Sequence, residues 1–352
     1  MIDLITRLRR RLHEHAEISG HEYRTQAILK DFLRTNTTLE IHDLPGGFYA
    51  AHREPDALLP GIALRADYDA LATPTGAAAH LCGHDGHAAA LCGVAVAIQG
   101  KRLGRDVFLL FQSAEETGAG AAQCLPLFER ESISEIYGAH NLPGLPFGSI
   151  YTRSGTFACG SRGLIIRFIG KPAHAAYPEH GISPAPAVGQ LLCVLPGLDA
   201  PEHFSSMTMC TVIGVNMGEK AFGAAAESAE IWLTLRSQQN EDLEALHSAI
   251  LNLCADLAGQ FGLDYRSEVQ DVFPATVNDT SCTHRIINRC GGVELAEPMR
   301  RSEDFGHYLL HCPGAFFGIG AGANYPALHT EHYEYPDDLL LPTIEAFLRL
   351  IE

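Results

Sequence analysis

The sequence predicts an α/β protein: a mostly parallel sheet covered by helices, with a smaller α+β domain inserted between its two halves. Three observations carry that expectation. The short unbroken apolar runs GIALRAD, VFLLFQ and EIYGAH alternate with helical stretches at 86–98 and around 119–130, the pattern of a parallel sheet buried on both faces. After Gly148 the runs LIIRFIG, TMCTVIGV and EIWLTLRS alternate apolar with polar, as half-exposed strands do. The residues able to do chemistry gather at the ends of the first set of runs, where open α/β sheets bind their ligands.

Residues 3–35 carry apolar positions at helical spacing, Ile5, Leu8 and Leu12, then Ala27, Ile28, Phe32 and Leu33. A break near Ser19-Gly20 lets a second helix start. Asp67 and Asp69 close GIALRADYD, Glu115 and Glu116 follow VFLLFQSA, and His140 closes EIYGAH. The strand texture changes near residue 159 and reverts near 268. This divides the chain into a discontinuous domain, 1–158 with 269–352, and an inserted one, 159–268, with helical segments at about 184–196 and 241–261. Loops and the run AFFGIG then lead to a helix, LLPTIEAFLRLI. There is no internal repeat and no low-complexity segment.

Composition excludes several function classes. A length of 352 residues favours two domains over one, and 46% hydrophobic content supplies their cores. The 25 basic and 42 acidic residues give a formal charge of −17, and no cluster of Lys and Arg could track phosphates. Nucleic acid and membrane are therefore not expected partners. The basic N-terminal stretch has no apolar signal region, and nowhere do roughly 18 apolar residues run together, so a soluble, cytoplasmic protein is expected. Most of the ten cysteines sit singly in apolar runs such as LLCVL and LNLCADL, as reduced core thiols do.

Cys82 stands apart, because LCGHDGHAAAL surrounds it with His84, Asp85 and His87. CGHDGH lacks the second cysteine of a redox CxxC, which leaves a metal site as the leading reading. Two residues apart in a loop, Cys82 and His84 can face one point, with Asp85 and His87 orienting ligands from behind. In SAEET, the adjacent Glu115 and Glu116 are expected to point to opposite sides of a strand end. One can then ligate a metal while the other serves as general base. His140 and LHTEHYEYPDD lie at further loop ends. Arg236, ending IWLTLR, offers a planar fork suited to a substrate carboxylate.

The segments RLHEHAEISGHEY, LRADYDAL, CGHDGH, LLFQSAEET, AHNLPGLPFGSI, GKPAHAAYPEHGISP, SEDFGHY and LHTEHYEYPDD, in that order, resemble the blocks of the M20 metallopeptidase family. More narrowly they resemble its amidohydrolase branch: hippurate hydrolases, indole-acetyl-amino-acid hydrolases and N-acyl-amino-acid deacylases. The resemblance covers nearly the whole chain. It implies a catalytic domain holding two divalent ions (Zn, Mn, Co or Ni) and an inserted lid that mediates homodimerisation. The implied ligands are Cys82, His84, Glu116, His140 and His329, with Cys82 bridging. Glu115 would be the general base and later the proton donor, Asp69 the carboxylate orienting a metal-site group, and His174 the lid histidine that steadies an oxyanion, often across the dimer.

The implied reaction is hydrolysis of the amide bond of N-acyl amino acids or related small amides. A dipeptidase or carboxypeptidase of the same family is the alternative, against which the Cys82 block stands. A third reading, a metal-binding relative with impaired catalysis, is opposed by Glu115. The chain departs from the family pattern in a shorter stretch from Leu71 to Leu81, at the rim of the cleft, and in the lid: Pro172-Ala173 before the histidine, Glu179 after it, and Gly223 to Ala226 where relatives carry a substrate-holding asparagine. Substrate contacts are expected to differ there, while the ligand and base positions are intact.

Overall fold

The computed structural model of the chain describes residues 1–352. Two compact units make it up: residues 1–157 with 276–299 and 303–352, and residues 158–275 with 300–302. The strand Asp264–Phe273, paired antiparallel with Gly160–Ile169, keeps the chain in the second unit past the expected boundary at 268. It is exposed along nearly its whole length, so it lacks the apolar signal that marks the other strands.

The first unit is built on an eight-stranded sheet. Its order is Glu40–Leu44, Gly47–His52, Val107–Gln112, Gly61–Asp67, Ile133–Pro143, Gly314–Gly322, Ile150–Thr152 and Val293–Glu294. The four central strands, from Val107–Gln112 to Gly314–Gly322, run parallel. Every residue of Gly61–Asp67 and Val107–Gln112 is buried, which is why both read as unbroken apolar runs. The edge hairpin of Glu40–Leu44 and Gly47–His52 is antiparallel and carried no comparable signal. The helices Ile2–Glu14 and Tyr23–Asn36 bury Ile5, Leu8, Leu12, Ile28, Leu29 and Leu33 in the same core. Full burial of such side chains contributes roughly 1.5–3 kcal/mol each. The stretch around 119–130 forms two five-residue helices, Gly120–Cys124 and Pro126–Arg130, the second started by its proline. The buried alanine-rich helix His84–Ile98 begins directly after the loop that carries Cys82.

In the second unit, an antiparallel sheet orders Thr208–Met217, Ser228–Ser237, Gly160–Ile169 and Asp264–Phe273. Its inner residues Leu164, Ile166, Phe168, Ile231, Leu233 and Leu235 form one core with the helices Ala185–Leu198 and Asn240–Phe261. No helix of either unit is long and apolar enough to cross a membrane.

Candidate active site

The run CGHDGH turns from loop into helix at Gly83, whose φ of +93° is a left-handed conformation. A Cβ on Gly83 would lie 2.6 Å from Asn141 Nδ2 and 2.8 Å from the Tyr333 hydroxyl, so glycine is required twice over. This turn lets Cys82 and His84 face one point. Cys82 Sγ lies 3.3 Å from His140 Nε2 and 3.3 Å from His329 Nε2. His140 donates its Nδ1–H to the carbonyl of Asn141 at 2.7 Å, which leaves Nε2 as the lone-pair nitrogen facing the thiol. His329 reaches the site from a backbone at φ +63°, with its N–H held by the Leu81 carbonyl.

All five expected ligands converge here. They form two groups, Cys82–His84–His140 and Cys82–Glu116–His329, each with its ligand atoms within 4.8 Å of one another, and the thiol is common to both. His84 Nε2 and Glu116 Oε1 are buried, make no hydrogen bond and lie 3.8 Å apart, and Glu116 Oε1 is 3.7 Å from His329 Nε2. Buried polar atoms without partners are costly, and a divalent cation between thiolate, imidazole and carboxylate donors is what such a set fits.

The two glutamates do not alternate along a strand, as the sequence reading expected. The strand stops at Gln112, Ala114 turns left-handed at φ +52°, and Glu115 and Glu116 lie in the turn that follows. Asp69 holds that turn against the metal loop, taking the His84 Nδ1–H on one oxygen at 2.8 Å and the Glu116 N–H on the other at 3.0 Å. Glu115 is buried, joins His84 and Glu116 in a third group, and accepts the Asp304 N–H at 3.3 Å. Burial, with Glu303 and Asp304 nearby, holds its carboxyl well above the usual range. Burial also pushes Glu116 up to about 7 against the pull of His84. The Cys82 thiol is raised by burial and by Glu116. For His84, burial works downward, but Asp67, Cys82 and Asp69 outweigh it and raise the imidazole.

Behind these residues lies a buried network that the sequence reading missed. Arg65, fully enclosed, donates to Asp67 at 2.6 Å, Asp304 at 2.8 Å and Gln112 at 2.7 Å. Asp67 also accepts the His87 Nδ1–H at 2.6 Å, and His87 Nε2 accepts from the Asn141 side chain at 2.9 Å. Asn141 in turn donates to the Cys82 carbonyl at 2.7 Å. His87 thus supports the metal loop, as expected, but Asp85 does not. The Asp85 carboxylate faces the helix Ile2–Glu14, accepting from His13 at 2.9 Å and Arg9 at 3.4 Å, because the helical turn after His84 directs it away. One signal was available for this network: an arginine inside GIALRAD, since a charge in a fully buried strand has to be paired.

His174 and Arg236 belong to the second unit. His174 is exposed in the short strand Ala173–His174, paired with Ala224–Ala225, and its Nδ1 accepts from the Ala176 N–H at 3.1 Å. Arg236 donates one terminal nitrogen to the Arg300 carbonyl at 2.6 Å and to Ser302 Oγ at 2.7 Å, so that half of its fork ties down the 300–302 segment.

The sequence model of peptidase family M20/M25/M40 matches residues 63–352, and the chain belongs to that family. It is a hydrolase of the amidohydrolase branch. Among its relatives is an N-acetyl-L-cysteine deacetylase of Bacillus subtilis, 27% identical over 339 residues that span 92% of this chain and 81% of the relative. Another is an N-acetyldiaminopimelate deacetylase of Pediococcus pentosaceus, 26% identical over 382 residues, 99% of this chain and 96% of the relative. The solved structure of a Bacillus subtilis protein, described as a dinuclear metal-binding peptidase of the M20 family, matches with a TM-score of 0.81 at 27% identity, covering 99% of this chain and 97% of the other.

Proposed function

We propose that this chain hydrolyses the amide bond of N-acyl amino acids or related small amides, using two divalent ions held by Cys82, His84, Glu116, His140 and His329. One observation carries the reading: two three-ligand groups share Cys82, and the buried carboxylate of Glu115 lies beside them. Bound there, the ions would lower the pKa of a water and polarise the substrate carbonyl. Glu115 takes the proton of the attacking water and returns it to the leaving amine, two transfers that one positioned carboxyl group can make in turn. Asp69 fixes the His84 ring and the Glu116 turn with one carboxylate. His174 donates to the oxygen that gains charge, a contribution of about 2.7–4 kcal/mol for one such donor. The free part of the Arg236 fork pairs with a substrate carboxylate.

The second unit acts as lid and homodimer contact in this proposal. Its edge strand Thr208–Met217 carries no charge and exposes Val212, Ile213, Val215 and Met217, the kind of edge that pairs with a second copy. A cytoplasmic location is supported by ten unpaired cysteines, which suit a reducing compartment, and the charge of −17 opposes nucleic-acid and membrane partners.

The deacetylase relatives support acyl substrates, whereas the structural relative described as a peptidase favours the second reading, a dipeptidase. Apo-protein reconstituted with Zn, Mn, Co or Ni, assayed on N-acyl amino acids and dipeptides, separates them. Acyl turnover is expected; dipeptide turnover alone selects the second reading, and metal-independent or absent turnover refutes both. Metal analysis should approach two ions per chain, and Cys82→Ser should lose at least one.

A further inference from the structure

The segment between the first two helices, Glu17 to Glu22, lies before the residues that the family model matches, and no role follows for it from the ligand set. It nevertheless touches two of the strand ends that carry the site. At the first, the Ala70 N–H is held by the Glu17 carbonyl at 3.0 Å and the Ser19 N–H by the Ala70 carbonyl at 3.1 Å, directly after Asp69. At the second, Glu22 Oε1 accepts the Ala114 N–H at 2.8 Å, directly before Glu115, across 92 residues of chain. The same oxygen accepts the Gly20 N–H at 2.8 Å, which folds the segment back on itself. Ser19 Oγ and Thr117 Oγ1 add a contact at 3.3 Å.

Glu22 occupies the position preceding the helix Tyr23–Asn36, where a polar side chain ordinarily caps its own helix. It makes no such bond. Its carboxylate, buried at 5% exposure, is committed instead to a backbone N–H of the glutamate turn. That N–H belongs to Ala114, whose left-handed φ is disfavoured for any residue with a Cβ and persists only if its surroundings impose it. A hydrogen bond to an ionised acceptor is roughly twice as strong as a neutral one, which explains a carboxylate at this post. The N–H groups on either side of Glu115 are therefore each held by a carboxylate, Ala114 by Glu22 and Glu116 by Asp69.

We propose that Glu22 is a positioning residue that sets the left-handed turn at Ala114 and thereby the places of Glu115 and Glu116. The proposal rests on the assignment of those two glutamates made above. A displacement of about 1 Å at a reacting group costs about 10²-fold in rate, and loss of a group supporting a ligand about 10- to 100-fold in metal affinity.

The test compares Glu22→Leu, which removes the acceptor, with Glu22→Gln, which keeps one oxygen, and with Phe32→Leu, a core change on the same helix. Hydrogen exchange of the 113–120 region, zinc affinity and kcat against KM are read on the full-length protein. Glu22→Leu is expected to speed exchange of the Ala114 amide, weaken zinc about 10- to 100-fold and lower kcat by a similar factor with little change in KM. Glu22→Gln should recover most of each, while Phe32→Leu lowers Tm and leaves zinc affinity and kcat within about twofold, as a change remote from the turn should. The proposal is overturned by a Glu22→Leu protein whose exchange and zinc affinity match the wild type, by a Gln variant no better than Leu, or by equal losses in Phe32→Leu. Wild-type protein that binds zinc and cleaves no amide would refute the reaction, while the exchange and zinc readings would still decide the clamp.

Discussion

The two units bury different things. In the first, Arg65, Asp67, Asp69, His84, Asp85 and Asp304 are all at 0 or 1% exposure. In the second, the interior is Leu164, Ile166, Phe168, Leu191, Ile231, Leu246 and their neighbours, and its ion pairs Arg167–Glu230 and Arg162–Glu244 keep a partner in water. Burying a charge costs several kcal/mol unless it is paired and hydrogen-bonded, so the first unit accepts a standing penalty in order to hold fixed dipoles around the site. The second unit folds as an ordinary apolar layer. Its exposed Gly223 and Ala224 can therefore change with little effect on stability, whereas the first unit ties stability to the buried residues around the candidate site.

That contrast is open to direct test. The largest effect is expected at Glu115, where Gln keeps the shape but cannot accept a proton. Turnover should fall by about 10²- to 10⁴-fold with metal content unchanged, whereas Glu116→Gln should lose metal first. Metal analysis beside kcat settles which glutamate does what, and stripped metal in Glu115→Gln would show the two reversed.

Next comes Arg65→Met, which strands Asp67 and Asp304 inside the core. Removing one partner of a buried pair should lower stability by about 3–5 kcal/mol, read as the denaturation midpoint. A loss below about 1 kcal/mol, the worth of an exposed pair, would mean that the first unit does not depend on its buried charges. In the second unit the sign of the contrast flips: His174→Ala should lower kcat by about 10²- to 10³-fold, the usual worth of one oxyanion donor, with Tm unmoved because the side chain is exposed.

The smallest effect sharpens the comparison at the second unit's own buried carboxylate. Asp242 accepts from Ser205 and Ser206, at 2.6–3.3 Å, and these bonds hold its pKa below the ordinary value despite the upward push of burial. A depressed pKa contributes stability above the unfolded value of about 3.9 and loses it as pH falls through the folded one. Asp242→Asn should thus lower Tm by roughly 2–4 °C near neutral pH, as about 1 kcal/mol does in a domain of this size, and the gap to wild type should close below about pH 4. A gap that does not narrow at all as pH falls below about 4 would assign the effect to packing.

What the sequence determined by itself follows from local physics. The central parallel strands are buried on both faces, so each had to be an unbroken apolar run, and GIALRAD and VFLLFQ are strands to the residue. Cys82 and His84 were recognisable because a thiol and imidazoles two residues apart have few uses besides a metal. The edge strands Asp264–Phe273 and Glu40–Leu44 carry little burial and hence little pattern, whereas Gly47–His52, though wholly buried, is a short run with histidine and glycine at its ends that periodicity alone does not mark. Only the tertiary structure decided that Asp85 turns away from the cluster of Cys82, His84 and Glu116, that Glu115 and Glu116 follow a left-handed Ala114, and that Arg65 meets Asp304 across 239 residues. Periodicity records which face of an element is buried; it holds no record of which distant carboxylate will satisfy a given N–H. That choice is made when the strand ends come together and each buried donor must find an acceptor.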